Sequence, residues 1–306
     1  MRGHRRKYHW EGFEHVFHHA KKYRVIFYSQ EDRLVFYTIF SIMAWGYGIS
    51  VLALALMYNH YHALFKPASP RVRALFIGTV VSTFAKAFNK DSGHKGALFE
   101  KAYGNAPKVG EKKIRTCISY CYNNSAEKKL VTRAEQDRWN LLAYVDNDHP
   151  FSEPIILKKT SPHLRAALKE VDAHVADHAY LRYACIRRLY RKLSLKEREQ
   201  LTDYIISRYL PLDKELLLSF YKDYHSMVTA INSNTGSEYE IREEYRNDSD
   251  EPYTQMLKVV SNSSFASNPH AILSASPEKK LQIANALRKM TCAKEYQISR
   301  FLHLEE

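Results

Sequence analysis

Residues 52–65 read LALALMYNHYHALF, an apolar run that closes at Asn59 and is followed by two histidines one residue apart. The stretch from Ile49 to Tyr58 is typical of a fully buried β-strand. Because side chains alternate between the faces of a strand, His60 and His62 project to the same side. Two imidazoles on one face are suitable ligands for a divalent metal ion. The stretch therefore predicts a buried strand that ends in a metal site, although each histidine could instead cap a polar edge.

A predicted helix downstream supplies a nucleophile and a third ligand. In EKKIRTCISYCYNNS, residues 111–125, Tyr120 and Asn124 are four apart and share one helix face. A tyrosine hydroxyl there could attack a phosphodiester, form a covalent phosphotyrosine and expel a 3′-hydroxyl. The Asn124 amide oxygen could reach a metal that neutralises a non-bridging phosphate oxygen. Since the chain has 22 tyrosines, Tyr120 could equally be a packing residue.

The charge of the chain indicates a polyanionic partner. The 306 residues carry a formal net charge of +13, which favours nucleic acid first and an anionic membrane second. Lysines and arginines occur in clusters with interleaved tyrosine and tryptophan, so cations could contact phosphates while rings stack on unpaired bases. The predicted DNA-contacting residues are Arg5, Arg6, Lys7, Lys21, Lys22, Arg24, Lys112, Lys113 and Arg115. Each cluster alone could instead be an ordinary solvated surface.

One uncharged segment approaches the length of a membrane-spanning helix, Ile39 to Met57. Gly46, Tyr47 and Gly48 interrupt it with residues typical of a turn. We expect it to divide into the end of a helix capped by Ser29 and the buried strand described above, with no membrane interaction. The four cysteines form no CxxC pair, which favours reduced thiols in a cytoplasmic protein.

The predicted secondary structure changes in character near residue 150. Short strands and helices alternate before that point and long helical stretches follow, which predicts an α+β domain over residues 1–150 and a mostly α-helical region over 151–306. The tail, residues 276–304, is expected to form two short helices with a possible helix-turn-helix, in which Gln297 and Arg300 lie on the polar face.

Local signals place the remaining elements. Strands are predicted at Phe13 to Phe17 and Arg24 to Phe27, and a helix begins near Ser69 with Pro70 in its first turn. The acidic segment from Ser237 to Pro252 reads as a linker or solvated surface.

Three blocks of the chain resemble single-tyrosine transposases of the HUH type (histidine, hydrophobic residue, histidine). LALALMYNHYHALF closely resembles their strand with the two histidines, and STFAKAFNKDSGHKGALFEKAYG is similar to the helix and hairpin that follow. SYCYNNSAEKKLV is similar to the helix that carries their nucleophile. The blocks occur in the family's order over residues 10 to 145, and the added helical tail resembles the branch associated with repetitive palindromic (REP) DNA elements.

The resemblance implies a ferredoxin-like antiparallel sheet with packed helices and a metal-dependent transposase. In this interpretation Tyr120 is the nucleophile, and His60, His62 and Asn124 hold Mg²⁺ or Mn²⁺. The implied activity is a single-stranded DNA endonuclease and strand transferase that forms a 5′-phosphotyrosine at hairpin DNA. The expected partner is single-stranded or hairpin DNA rather than a small-molecule substrate, and the expected assembly is a monomer or homodimer.

Departures from the family pattern leave an alternative open. Ser125 stands where the family often has proline, and Gly104-Asn105-Ala106 replaces a more usual aromatic-acidic turn. The sequence MYNH also replaces the commoner MPNH, which loses a rigid turn before the histidines. None of these changes removes a catalytic group. They allow a catalytically silent, domesticated DNA-binding or regulatory protein on the same scaffold.

Overall fold

Four antiparallel strands form the sheet on which the histidines lie. The structure, a computed structural model, describes residues 8–233, 249–262 and 268–304. Its strands are β1 (Phe13–His19), β2 (Ser50–Leu56), β3 (His60–Lys66) and β4 (Gly104–Lys108). They lie in the order β4-β1-β3-β2, and every neighbouring pair is antiparallel. With its two crossing helices this is a ferredoxin-like β-α-β-β-α-β arrangement, so the predicted α+β class is confirmed.

Helices account for most of the rest of the described chain. They are α1 (Gln30–Gly46), α2 (Pro70–Ser92), α3 (Glu111–Glu127), α4 (Pro162–Ala176), α5 (Tyr183–Tyr190), α6 (Leu195–Arg208), α7 (Lys214–Ser219), α8 (Tyr224–Ser233), α9 (Glu251–Ser261), α10 (Pro277–Met290) and α11 (Glu295–Leu302). Short 3₁₀ turns occupy Lys21–Tyr23, Ala134–Gln136, Arg138–Asn140, Leu142–Val145, Leu157–Lys159 and Pro269–Ile272. The predicted helical C-terminal region is confirmed. Of the predicted acidic linker, residues 237–248 lie outside the described ranges.

The first two helices begin where their capping residues predict. The Ser29 side chain accepts a hydrogen bond from the Asp32 amide, and the Asp32 carboxylate accepts one from the Ser29 amide, which is a capping box. At the start of α2 the Ser69 side chain accepts a hydrogen bond from the Val72 amide and Pro70 occupies the first turn, while Gly93 ends the helix with a φ of 71°. Both predicted helix starts are confirmed.

The histidines open a new strand instead of ending the apolar one. β2 ends at Leu56, and a three-residue turn leads directly to His60 at the start of β3. The Met57 amide donates to the His60 carbonyl at 2.9 Å, which closes this tight hairpin. The predicted single strand running into the histidines is therefore wrong, because the turn Met57-Tyr58-Asn59 contains neither glycine nor proline to signal it. The correction places the histidines on a central strand, since β3 lies between β2 and β1.

The uncharged segment that resembled a membrane span is divided as expected. Its first part is the end of α1 and its second part is β2, and both are buried in the core. Within the described residues, none of the helices combines the length and the apolar character that crossing a membrane requires.

Tertiary contacts override the local sequence signals at two places: one predicted strand is absent, and one strand of the sheet was not predicted. The segment from Arg24 to Phe27 is buried from Val25 onward but forms no strand, because the Val25 amide donates to the Arg300 carbonyl and the next two amides donate to the Tyr58 carbonyl. The edge strand β4 was not predicted, since its sequence GNAPK carries the glycine and proline that strands usually exclude.

The two faces of the sheet have different coverings. α1 and α2 cover one face, where Phe36 lies 5.0 Å from the Tyr61 ring and Phe76 lies 5.2 Å from the Phe65 ring. α3 covers the other, and its Tyr122 hydroxyl donates to the Leu52 carbonyl of β2 at 2.7 Å. The histidines of β3 face α3. The division of the chain near residue 150 stays a prediction, and the buried core includes residues from both sides of it.

A buried ionic cluster joins the tail of the chain to α1 and α2. His270, with a side chain 4% exposed, lies 2.8 Å from Asp32 through Nε2 and 2.8 Å from Asp91 through Nδ1. The Tyr183 hydroxyl donates to Asp32, and Arg187 forms two hydrogen bonds with Asp91. Burial disfavours the charged imidazole, but the two carboxylates outweigh it and raise the pKa of His270 to about 9.

This cluster predicts a pH-dependent stability. Because the pKa of His270 is raised on folding, its contribution is fully present below pH 6.5 and is lost as the pH rises through 9. A shift of this size corresponds to at most about 3 kcal/mol. We expect the loss of unfolding free energy in His270→Gln, measured by urea denaturation, to be larger at pH 6 than at pH 10. His163→Gln, on the exposed side of α4, is the control, and a loss in His270→Gln that is equal at both pH values would contradict the prediction.

Candidate metal and tyrosine site

Four histidines from two neighbouring strands meet on the face of the sheet that α3 covers. In the antiparallel register His19 of β1 is directly opposite His60 of β3, and their ring centroids are 4.8 Å apart. The rings of His60 and His62 are 4.9 Å apart. His15 of β1 approaches His62, with 3.2 Å between its Nε2 and the His62 Nδ1. His15, His60 and His62 are all buried.

Sequence reasoning missed the two histidines of β1, although a signal was present. In FEHVFHH, residues 13–19, His15 and His19 are four apart in a strand and therefore lie on one face. This alternation could have marked them as a second histidine face. Nothing in the sequence indicated that β1 pairs with β3, which is what brings the two faces together.

α3 brings the predicted nucleophile and the predicted third ligand to this face. The Tyr120 ring stands almost perpendicular to the His62 ring, with 5.2 Å between centroids. One turn further along the helix, the Asn124 amide nitrogen lies 3.4 Å from the His62 Nε2. Tyr120 and Asn124 are 3% and 5% exposed. The structure thus brings together all four residues of the predicted centre, His60, His62, Tyr120 and Asn124.

Burial keeps the two imidazoles of β3 neutral. It lowers the pKa of His62 to about 3, and the positive charge of Lys128 acts in the same direction. Burial likewise holds the pKa of His60 well below its usual value, with His19, His62 and Lys128 adding to the effect. Neutral imidazoles carry the lone pair that a metal ion requires, so both rings are ready to act as ligands near neutral pH.

The tautomer of His60 fits metal binding. Its Nδ1 lies 2.6 Å from the Asn59 Oδ1, so Nδ1–H donates to the amide oxygen and the lone pair is on Nε2. A hydrogen bond of this kind to the non-ligating nitrogen commonly orients metal-binding histidines. Asn59 therefore acts as a positioning residue for His60.

The Asn124 side chain supplies the test of whether a metal fits. Its Oδ1 is buried and has no hydrogen-bond partner among the described residues. Because the oxygen and nitrogen of an amide are interchangeable in assignment, a flip places an oxygen 3.4 Å from the His62 Nε2. Two adjacent ligands of an octahedral ion are about 3 Å apart. Two imidazole nitrogens and an amide oxygen can together ligate a divalent transition-metal ion, whereas Mg²⁺ prefers oxygen ligands.

A cavity opens beside His60, and the tail of the chain forms one of its walls. Its lining residues are His19, Tyr23, Asn59, His60, Lys128, Asp250, Tyr253, Tyr296, Gln297 and Arg300. The Arg300 guanidinium lies 5.1 Å from the Tyr23 ring centroid and 4.8 Å from that of Tyr296. The helices α9 and α11 therefore complete the surroundings of the candidate centre, a role that the sequence did not indicate.

The tail helices only partly match their predicted faces. Ile298, Phe301 and Leu302 of α11 are buried, as an inward apolar face requires. Gln297, expected on the polar face, is 3% exposed and donates to the Ser249 carbonyl. The helix-turn-helix stays a prediction.

The predicted DNA-contacting residues fall into two groups around the site. Lys21 and Lys22 are exposed in the turn directly after His19, and Arg24 beside them is half-buried. Lys112, Lys113 and Arg115 are exposed in the first turns of α3, ahead of Tyr120. The Arg115 guanidinium lies 5.0 Å from the Tyr221 ring centroid. Arg5, Arg6 and Lys7 lie outside the described residues.

Comparison with known proteins gives a similarity at the level of structure. No protein-family model and no curated protein matches the chain. Among solved structures, the chain is similar to a REP-associated tyrosine transposase bound to a REP hairpin, with a TM-score of 0.39 and 15% sequence identity. The match covers 46% of this chain and 82% of that one. A TM-score below 0.5 does not establish a common fold, so the functional proposal below rests on the side chains themselves.

The ligand set predicts a measurable metal affinity. We expect His60→Ala to weaken Mn²⁺ binding by about tenfold or more, since even the loss of a residue that orients a ligand costs about that much. The measurement is a titration of purified protein with Mn²⁺, followed by the electron paramagnetic resonance signal of the free ion. His163→Ala, which removes an exposed histidine, is the control. Equal affinities in the wild type and His60→Ala would refute the site.

Proposed function

We propose that the chain is a divalent-metal-dependent endonuclease and strand transferase for single-stranded or hairpin DNA. The observation that carries the proposal is the position of the Tyr120 ring against His62, with Asn124 one helical turn away. A tyrosine beside a metal ligand set is the arrangement that phosphodiester transesterification needs. The net charge of +13 favours an anionic polymer as substrate.

The cleavage step follows from the residues in place. The Tyr120 hydroxyl attacks the phosphorus and loses its proton, while the bond from phosphorus to the 3′ oxygen breaks and that oxygen leaves as a hydroxyl after taking up a proton. The downstream strand remains attached to Tyr120 through its 5′-phosphate, as a phosphotyrosine. His60, His62 and Asn124 would hold a divalent ion, which when bound would neutralise charge on a non-bridging phosphate oxygen. Attack of another 3′-hydroxyl on the phosphotyrosine restores the phenol and joins two strands.

The α3 helix and the histidines limit the motion of the nucleophile. The ring of Tyr120 is held edge to face against His62 and, at 5.6 Å, against His15. Holding reacting groups in place lowers the barrier by removing orientational freedom before the reaction.

A covalent-adduct assay tests the proposal. We expect wild-type protein incubated with a labelled hairpin oligonucleotide and Mn²⁺ to give a protein–DNA adduct that resists denaturant, and Tyr120→Phe to give none. The phenylalanine keeps the ring packing but lacks the attacking oxygen.

Tyr122→Phe is the matched control, because it removes a hydroxyl from the same helix that faces β2 and not the histidines. It should keep the adduct. Adduct levels in the wild type no higher than in Tyr120→Phe would exclude the enzyme.

The second candidate is a catalytically silent DNA-binding protein on this scaffold. The observation in its favour is burial: Tyr120 is 3% exposed and His62 is 0% exposed, so the reacting groups are covered in this conformation. The same basic groups would then hold DNA without cleaving it. Binding of the hairpin by the wild type, with no adduct in Mn²⁺, is the outcome that identifies this alternative.

In both cases the DNA backbone approaches through the cavity beside His60. Lys128 and Arg300 supply two cations in its lining, and Lys21 and Lys22 are exposed next to it. Tyr23 and Tyr296 flank the Arg300 guanidinium and add aromatic surface on which an unpaired base can stack. The tail of the chain is thereby part of the proposed DNA-binding surface.

This surface predicts a specific effect of Arg300. We expect Arg300→Gln to weaken binding of a single-stranded oligonucleotide by about tenfold at low salt, and to reduce the slope of log affinity against log salt by about one. Fluorescence anisotropy at several salt concentrations measures both quantities. Arg288→Gln makes the same charge change on α10, outside the cavity lining, and should leave the slope nearly unchanged. An identical decrease in the two variants would place the DNA elsewhere.

A further inference from the structure

A cluster of three metal-ligand side chains lies between α4 and α5, on helices that take no part in the candidate active centre. We propose that Glu170, His174 and Cys185 bind a zinc ion that joins these two helices. The cluster lies in the helical region that follows residue 150, and the residues are half-buried, so solvent reaches the site.

The helices already hold the three ligand atoms near the spacing that zinc requires. Glu170 and His174 are four apart on α4 and share a face, and Cys185 lies in the first turn of α5. The Cys185 Sγ is 3.3 Å from the Glu170 Oε1 and 3.9 Å from the His174 Nε2. Tetrahedral zinc with one sulfur and two lighter ligands separates them by about 3.3–3.6 Å. Little movement would be needed to bind the ion.

The imidazole of His174 is held in the tautomer that a metal ligand needs. Its Nδ1 lies 2.9 Å from the backbone carbonyl of Glu170, so Nδ1–H is the donor and the lone pair of Nε2 points toward the Cys185 sulfur. A hydrogen bond from the second ring nitrogen to a backbone carbonyl is the usual support of a metal-binding histidine. The helix itself provides this carbonyl.

The chemical identity of the three groups selects the ion. A thiolate, an imidazole and a carboxylate together suit Zn²⁺, whereas Mg²⁺ and Ca²⁺ take oxygen ligands. Three protein ligands leave the fourth tetrahedral position for a water molecule, which the half-buried setting allows. The site therefore differs in donor set from the centre at His60 and His62.

The charges in the cluster allow a zinc ion to replace the Arg188 guanidinium as the cation beside Glu170. Without metal, the Cys185 thiol donates to Glu170, whose carboxylate also pairs with the Arg188 guanidinium. Binding of Zn²⁺ would release the thiol proton to solvent, and the resulting thiolate and carboxylate together neutralise the ion. The Arg188 side chain is 61% exposed and can turn into solvent when the metal takes its place.

The test uses cobalt, because thiolate-bound Co²⁺ gives a charge-transfer band in the near ultraviolet that nitrogen and oxygen ligands do not give. The full chain is stripped with a chelator and titrated with Co²⁺. We expect one thiolate-bound ion per chain, displaced by one equivalent of Zn²⁺. The band should be absent in Cys185→Ser. In His174→Gln the apparent affinity for Co²⁺ should be lower by tenfold or more.

Two matched controls isolate the site. Cys292→Ser removes the exposed cysteine and His163→Gln removes an exposed histidine on α4 itself, and both should keep the band. Glu170→Gln provides a further ligand variant if Cys185→Ser does not fold. A second readout is the melting temperature, which Zn²⁺ should raise in the wild type but not in His174→Gln.

The outcomes are decisive in both directions. No band in the wild type, or a band that persists in a folded Cys185→Ser, overturns the proposal, and the second result would point to Cys117 and Cys121 on α3. The site is independent of the proposed DNA cleavage, so Tyr120→Phe should bind Co²⁺ as the wild type does.

Discussion

The antiparallel pairing of β1 with β3 is the constraint on which the candidate centre depends. It sets His19 opposite His60 and brings His15 against His62, so that one face of two short strands carries four imidazoles. A shift of the register by one residue would turn the β3 histidines to the opposite face, against α1 and α2. The pairing also places β3 inside the sheet, where both neighbours hold its backbone.

The same placement determines the electrostatics of the site. With α3 packed over them, the β3 histidines lie in a region from which water is largely excluded, and the pKa of His62 falls to about 3. Neutral imidazoles pack at much lower cost than charged ones, so a fold of this kind tolerates them in its interior without a counter-ion. The unsatisfied oxygen of Asn124 is a buried group at this face that lacks a hydrogen-bond partner among the described residues, and a cation would compensate for its burial.

The helical region after residue 150 contacts the first half of the chain at several places. Leu212 and Asp213 cover the outer edge of β2, where the Asp213 amide donates to the Val51 carbonyl at 2.9 Å. His270 joins the start of α1 to the end of α2 through the carboxylates of Asp32 and Asp91. α11 supplies Arg300 to the cavity beside His60. A sheet edge without cover is prone to pair with other chains, so the first of these contacts also protects the fold.

The sequence by itself determined the elements whose signals are local. The capping residues Ser29 and Ser69, the period-two pattern around His60 and His62, and the spacing of Tyr120 and Asn124 depend only on neighbours along the chain. They predicted the local geometry that the structure has: the two helix starts, the shared strand face and the shared helix face. Only the tertiary structure decided that the histidines begin β3, because a turn without glycine or proline is fixed by the hydrogen bonds of the strands it joins. The same holds for His15 and His19, for the strand β4 and for the tail that lines the cavity. These features arise from contacts between residues far apart in sequence, and no periodicity or spacing in one segment records which distant segment it will meet.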